Sequence, residues 1–304
     1  MHKSLLLAAV LSVFIAGCGN RDQAANRPVN KNDNPDVLVK NAVESRTALS
    51  SIAGKGVMRI VDQPSKFGLT VNADVVADES DRLRIRADKL AGAVQAFDVV
   101  KLGDDIGFYI PTQRTLYHGK TRDLQNFSFR FDPDEVLRQM LRPETSLTLK
   151  QWRHAEPRQD DPANSIMLEE DVPGNRPHMR VAINQKNGMI TSITQLDARG
   201  QPYFIKRFDD FRDLSRGRKG GRVTADESAF PYLMSFVWPR ERRSMEMHFK
   251  QVEGNAVVYD EDFDIAASSD TRYLPLQEAQ MDSGLSDDEP MAAMPRAPTG
   301  RERM

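Results

Sequence analysis

From Phe67 onward apolar and polar residues alternate, and a period of two is what a pleated strand with one buried face requires. Phe67, Leu69, Val71, Ala73 and Val75 alternate with Gly68, Thr70, Asn72 and Asp74. Leu83 and Ile85 sit among Arg82, Arg84 and Arg86. Ile106, Phe108 and Ile110 share a face, a turn at Pro111–Arg114 follows, and Leu116 and Tyr117 begin the return strand. Met179, Val181 and Ile183 precede Asn187-Gly188, a hairpin signal. Met189, Thr191 and Ile193, then Tyr203 to Phe208, then Met245, Met247 and Phe249 continue the pattern. Consecutive hairpins make a meander, and a sheet of roughly ten or more strands curls or closes. The expected fold class is α+β, mainly antiparallel β: a curved, half-open β-barrel with helices covering the opening.

Two segments break the period. Asn34 is a suitable N-cap, Pro35 suits a first turn, and Asp36 favours a helix N-terminus. Leu38, Val39, Ala42, Val43, Leu49 and Ile52 then predict one apolar helix face, closed by Gly54 and Gly56. A second helix is expected near Asp132-Pro133-Asp134-Glu135, with Val136, Leu137, Met140 and Leu141 on its apolar side. The folded body is expected over residues 35–276.

The ends have a different character. Residues 1–17 combine a polar start, a short apolar run and small residues before a cut site, the pattern of a secretory signal peptide. The run is shorter than the ~20 apolar residues a membrane span needs. Ile15-Ala16-Gly17-Cys18 resembles the lipobox of bacterial lipoproteins, and Cys18 is the single cysteine of the chain. The resemblance implies acylation of Cys18, cleavage before it, and attachment to a bilayer. Gly19, rather than an aspartate, at the next position favours the outer membrane within that class. Residues 18–34 then read as the lipidated cysteine and a polar tether reaching ~20–25 Å. Residues 277–304, with prolines and mixed charge, read as a disordered tail.

Enzymatic and metal chemistry find little support. The histidines are His2, His118, His154, His178 and His248, too dispersed for a spaced metal-ligand motif. An acylated Cys18 has no thiolate to offer. No GxSxG, Walker A or GxGxxG motif occurs. Adjacent carboxylates such as Asp104-Asp105 point to opposite faces of a strand, so they do not form a catalytic pair. A net charge of −2 lacks the basic excess of a nucleic-acid binder. No enzyme activity, metal or cofactor is therefore expected, and no nucleic-acid partner.

The order of several segments resembles lipoprotein-localisation carriers of the LolA/LolB type. These are the N-terminal helix, Gly54-Lys55-Gly56-Val57-Met58-Arg59-Ile60, Asp81 to Ile85, Phe108-Tyr109-Ile110-Pro111 before Tyr117-His118-Gly119, Arg207 to Phe211, and Phe230-Pro231 to Trp238-Pro239. The resemblance covers residues 35–265. It implies a curved antiparallel sheet whose hydrophobic cavity takes up acyl chains. Cys18 places the chain nearer the membrane-anchored receptor than the soluble carriers of that family. The function so implied is a cell-envelope lipoprotein, periplasm-facing on the outer membrane, that binds lipid or lipoprotein acyl chains in trafficking. Its partners would be the membrane through acylated Cys18, a lipid or acylated protein ligand, and a soluble periplasmic carrier. The alternative is a scaffolding envelope lipoprotein that docks proteins without lipid cargo.

Two groups of residues are candidates for contact with lipid. Phe67, Leu69, Phe97, Phe108, Ile110, Leu116 and Trp238 either fill the core or line a cavity, since inward positions serve both. Arg216, Arg218, Lys219 and Arg222 form the densest basic cluster, either a hairpin loop or a contact with anionic headgroups.

Overall fold

The computed structural model describes residues 28–46, 48–89, 94–126, 133–142, 144–174, 176–214 and 229–278. The leader, Cys18, most of the tether, the cluster Arg216, Arg218, Lys219 and Arg222, and residues 279–304 of the tail lie outside them.

Helix α1, Pro35–Glu44, starts as its sequence predicts, with the Asn34 side chain accepting hydrogen bonds from the backbone N–H of Asp36 and Val37. It ends earlier than expected, at Ser45. Ile52, Gly54 and Gly56 belong instead to strand β1, Ser51–Asp62. A meander follows: β2 Phe67–Asp78, β3 Arg82–Lys89, β4 Val94–Leu102, β5 Asp105–Ile110 and β6 Thr115–Lys120. The chain then crosses through helix α2, Pro133–Leu141, to β7 Trp152–His154. It returns by β8 Ser165–Glu170, β9 Met179–Asn184, β10 Ile190–Leu196, β11 Pro202–Asp213, β12 Ala229–Trp238 and β13 Arg243–Gly254. Strand β14, Arg272–Pro275, closes the described chain against β6.

The fourteen strands of the described residues form one sheet in the order β14-β6-β5-β4-β3-β2-β1-β13-β12-β11-β10-β9-β8-β7. Among the described residues only the β14–β6 pair is parallel. Two meanders thus meet at the β1–β13 seam. Among the described residues the sheet stays open, with β14 and β7 as edges that do not pair with each other, so the mainly antiparallel α+β class is as expected and the half-open barrel is replaced by an open sheet. Both edges are short, and β14 carries Pro275, which limits pairing with another chain.

One face is inner. Register gives it rows: Leu69, Ile60, Met245, Phe236 and Lys206 lie side by side across five strands, and Val71, Met58, Met247, Met234 and Phe208 form the next row. Helix α2 packs on β1, β2 and β3, and α1 packs on β7, β9 and β10, so the helices cover this face. Most of the core lies between them. The outer face is largely polar, but residues after β13 strap across part of it. There the Arg82 guanidinium lies 4.4 Å from the centre of the Phe263 ring, and Arg84 donates to the Asp262 carbonyl at 3.0 Å. Among the described residues no helix is long and apolar enough to cross a membrane.

Candidate functional site: the inner face and its aromatic lip

The inner face is built by alternation, and most of the predicted residues converge on it. Leu69, Phe97, Phe108 and Ile110 point inward and are buried, between 1% and 5% exposed. The Phe97 and Phe108 ring centres are 5.6 Å apart. Phe67 and Trp238 also share this face but remain half-buried, packed against the edge of the core. Leu116 does not join them. Pairing of Ile110 with Thr115 and Phe108 with Tyr117 turns Thr115 and Tyr117 inward and Leu116 to the outer face, beside Tyr109. Arg114, with φ 49°, ends the turn just before this pairing begins.

Phe67 and Trp238 stand in one row at one end of the seam. Phe67 is opposite Asp62, Asp62 opposite Arg243, and Arg243 opposite Trp238. Trp238 stacks on Phe204 with ring centres 5.1 Å apart. This row is the lip: aromatic at both sides, with one ion pair between. Behind it the face becomes aliphatic and methionine-rich, with Met58, Met234, Met245 and Met247 all nearly inaccessible. Methionine side chains are flexible and polarizable, so such a surface adapts to irregular apolar shapes.

Charged side chains also point inward. Lys206 on β11 is 1% exposed, and its Nζ lies 2.8 Å from Glu135 and 2.7 Å from Glu144. Lys101 on β4, equally buried, lies 3.0 Å from Asp134 and 2.6 Å from Asp81. Asp134 and Glu135 begin α2, so two lysines from opposite halves of the sheet hold one helix by its first turn. Gln139 donates to Glu135 and to Glu144, and Arg46 donates to the Gln139 carbonyl at 2.6 Å. Burial works to raise the Glu144 pKa, but the charge and hydrogen bond of Lys206, with Gln139, outweigh it and hold the carboxyl below its usual range. Burial lowers the Arg46 guanidinium to about 10, against the pull of Glu144, and it stays charged at neutral pH.

Sequence reasoning missed these ionic groups although the signal was present. Asp62 continues the inward parity of Met58 and Ile60, and Lys206 lies between Phe204 and Phe208. Among the described residues no cluster of His, Cys, Asp and Glu has the arrangement to hold a metal ion.

No protein-family model and no curated protein matches the chain. Solved structures do. It is similar to an outer membrane lipoprotein-sorting protein domain from Vibrio parahaemolyticus, at 12% identity and a TM-score of 0.46, covering 76% of this chain and 96% of that one. It is similar to a DUF1329 family protein from Desulfovibrio piger, at 12% identity and 0.48, with the same coverage. A LolA superfamily protein from Nitrosomonas europaea matches at 11% identity and 0.43, covering 77% of this chain and 98% of that one. The LolA-type resemblance read in the sequence recurs among these structures.

Proposed function

We propose that this chain is a non-enzymatic lipoprotein of the cell envelope, held to the outer membrane by acylated Cys18, that binds acyl chains of lipids or lipoproteins. The observation that supports this best is the inner face itself, a mainly apolar surface from β5 to β12, interrupted by the buried ion pairs of Lys101 and Asp62, that reaches a half-buried aromatic lip at Phe67 and Trp238. An acyl chain entering at the lip would lie on the methionine rows and replace contacts now made by α2. Transfer needs no covalent step, because removing apolar surface from water contributes about 25 cal/mol per Å². The cluster Arg216, Arg218, Lys219 and Arg222 would assist by contacting anionic headgroups, worth ~1 kcal/mol for each basic residue near the surface. Cargo would arrive from the membrane or from a soluble periplasmic carrier.

The binding test uses the chain from residue 19, which keeps every described residue. Lipid mass spectrometry on the purified protein and displacement of a fluorescent fatty acid should both report bound chains. Replacing Trp238 with Asp should weaken the fluorescent probe by about tenfold, the equivalent of 1.4 kcal/mol. A protein that carries no lipid and displaces no probe, yet pulls a stable protein partner from membranes, would favour a scaffold instead. Anchoring is tested separately: labelled palmitate should be incorporated in growing cells by the native chain and not by Cys18→Ala. Equal labelling of the two would remove Cys18 as the anchor.

A further inference from the structure

The ion pair in the lip is placed where an ordinary ion pair has no need to be. Strands β1 and β2 put a solvated pair, Lys55 and Asp74 at 3.9 Å, on the outer face. Asp62, by contrast, points to the apolar face and is 3% exposed. Its Oδ1 lies 3.2 Å from Arg243 Nε. Both atoms are buried and neither has a hydrogen-bond partner, because the pair is close without being aligned. Buried polar atoms without a hydrogen bond carry a desolvation penalty that a suitable partner would relieve. The pair is flanked by Phe67 and Trp238, and the methionine rows run away from it.

We propose that Asp62 and Arg243 form a head-group site that selects neutral, hydroxyl-bearing acyl amphiphiles of the monoacylglycerol type over fatty-acid anions. The proposal rests on the lipid-binding reading and names the polar end of its ligand. Charge decides the selectivity. Asp62 already compensates Arg243, and a second carboxylate, Glu241, lies 3.7 Å from Arg243 Nη1. A carboxylate head would meet no net positive charge there and would lie against Asp62. A glycerol head fits both orphaned groups: its hydroxyl donates to Asp62 Oδ1, and an ester or hydroxyl oxygen accepts from the Arg243 guanidinium.

The test is calorimetric titration of the chain from residue 19 with monopalmitoylglycerol and with palmitate, which share one tail. Native protein should bind the glyceride more tightly by about tenfold, which corresponds to 1.4 kcal/mol. Asp62→Asn keeps the shape and removes the carboxylate that palmitate would lie against, leaving Arg243 with Glu241 at 3.7 Å, so the preference for the glyceride should fall to near parity. Arg243→Gln leaves the carboxylates of Asp62 and Glu241 without that cation, so palmitate should weaken further and the preference for the glyceride should grow, and it carries the test if Asp62→Asn fails to fold. Equal affinity of the native protein for both probes, or an unchanged preference in Asp62→Asn, overturns the head-group site and leaves lipid binding standing. No binding of either probe overturns both.

Discussion

At the scale of single residues, the seam is decided by what is missing from Gly56. A Cβ there would sit 2.4 Å from the His248 carbonyl oxygen and 2.9 Å from Phe249 Cα, both backbone atoms that cannot swing aside. At Gly54 the nearest atom is Cε1 of the Phe249 ring, at 2.9 Å, a side-chain rather than a backbone atom. At Gly68 nothing lies within 4 Å. Three alanine substitutions therefore form a graded series. Gly56→Ala should cost about 1–3 kcal/mol as overpacking against backbone. For a chain of this size that lowers Tm by roughly 2–4 °C per kcal/mol. Gly54→Ala should fall by less, and Gly68→Ala should stay within about 0.5 kcal/mol of the native protein. Thermal unfolding of the three checks the order; a Gly56→Ala protein as stable as Gly68→Ala would mean that the seam does not pack so closely. These glycines resemble helix terminators in the sequence, because the contact that demands them comes from β13, far along the chain.

At the scale of elements, α2 was legible and its fastening was not. Val136, Leu137, Met140 and Leu141 are buried as their spacing predicts. The length of α1 was overread, since Leu49 and Ile52 continue the helical spacing by chance. Leu49 instead lies in the link to β1 and donates its N–H to the Leu141 carbonyl at 2.7 Å. Strands β7 and β14 escaped notice because three or four residues are too few to show alternation. The lip aromatics could be read from periodicity, whereas Asp62, Arg243, Lys101 and Lys206 were passed over because charge suggests solvent. Lys206 gives the sharpest prediction here. Lys206→Met would remove the buried ammonium from between Glu135, which also pairs with Arg138 at 2.9 Å, and Glu144, and breaking a buried pair in this way costs about 3–5 kcal/mol. Adding Glu135→Gln and Glu144→Gln should recover most of that loss. The pH dependence separates the cases. In the native protein the Glu144 pKa is depressed below its ordinary value of 4.5. That contribution to stability is complete above the ordinary value and is lost as pH falls through the folded one. In Lys206→Met burial dominates and raises the carboxyl pKa, so the destabilisation should be largest at neutral pH and shrink on acidification. Thermal melts from neutral to mildly acidic pH distinguish these opposite slopes, and parallel slopes would refute this role of Lys206.

At the scale of the whole molecule, the order of strands means that neither half of the chain is complete. Strands β1 to β6 are laid down in sequence, but the helix that covers their inner face follows them, and the partner of β1 is β13, near the end of the described chain. A chain ending at residue 126 would expose β1 as a twelve-residue edge together with the inward side chains of Leu69, Val71, Val75 and Ile85. A long apolar edge of that kind templates association with other chains. The seam also pairs residues from opposite ends of the fold, so the native contacts that close it carry high loop-closure entropy and form slowly. The first half alone should therefore bind a hydrophobic dye strongly, form oligomers in size-exclusion chromatography and show no cooperative unfolding. The full chain should refold in a single slow phase limited by the seam, and Gly56→Ala should slow that phase if the close approach at β13 is already made in the transition state. A soluble, monomeric first half with a cooperative melt would show instead that the two meanders are independent folding units. In that case the inner face of the first half would be stable without α2, and the helix would act as a cover rather than as part of the core.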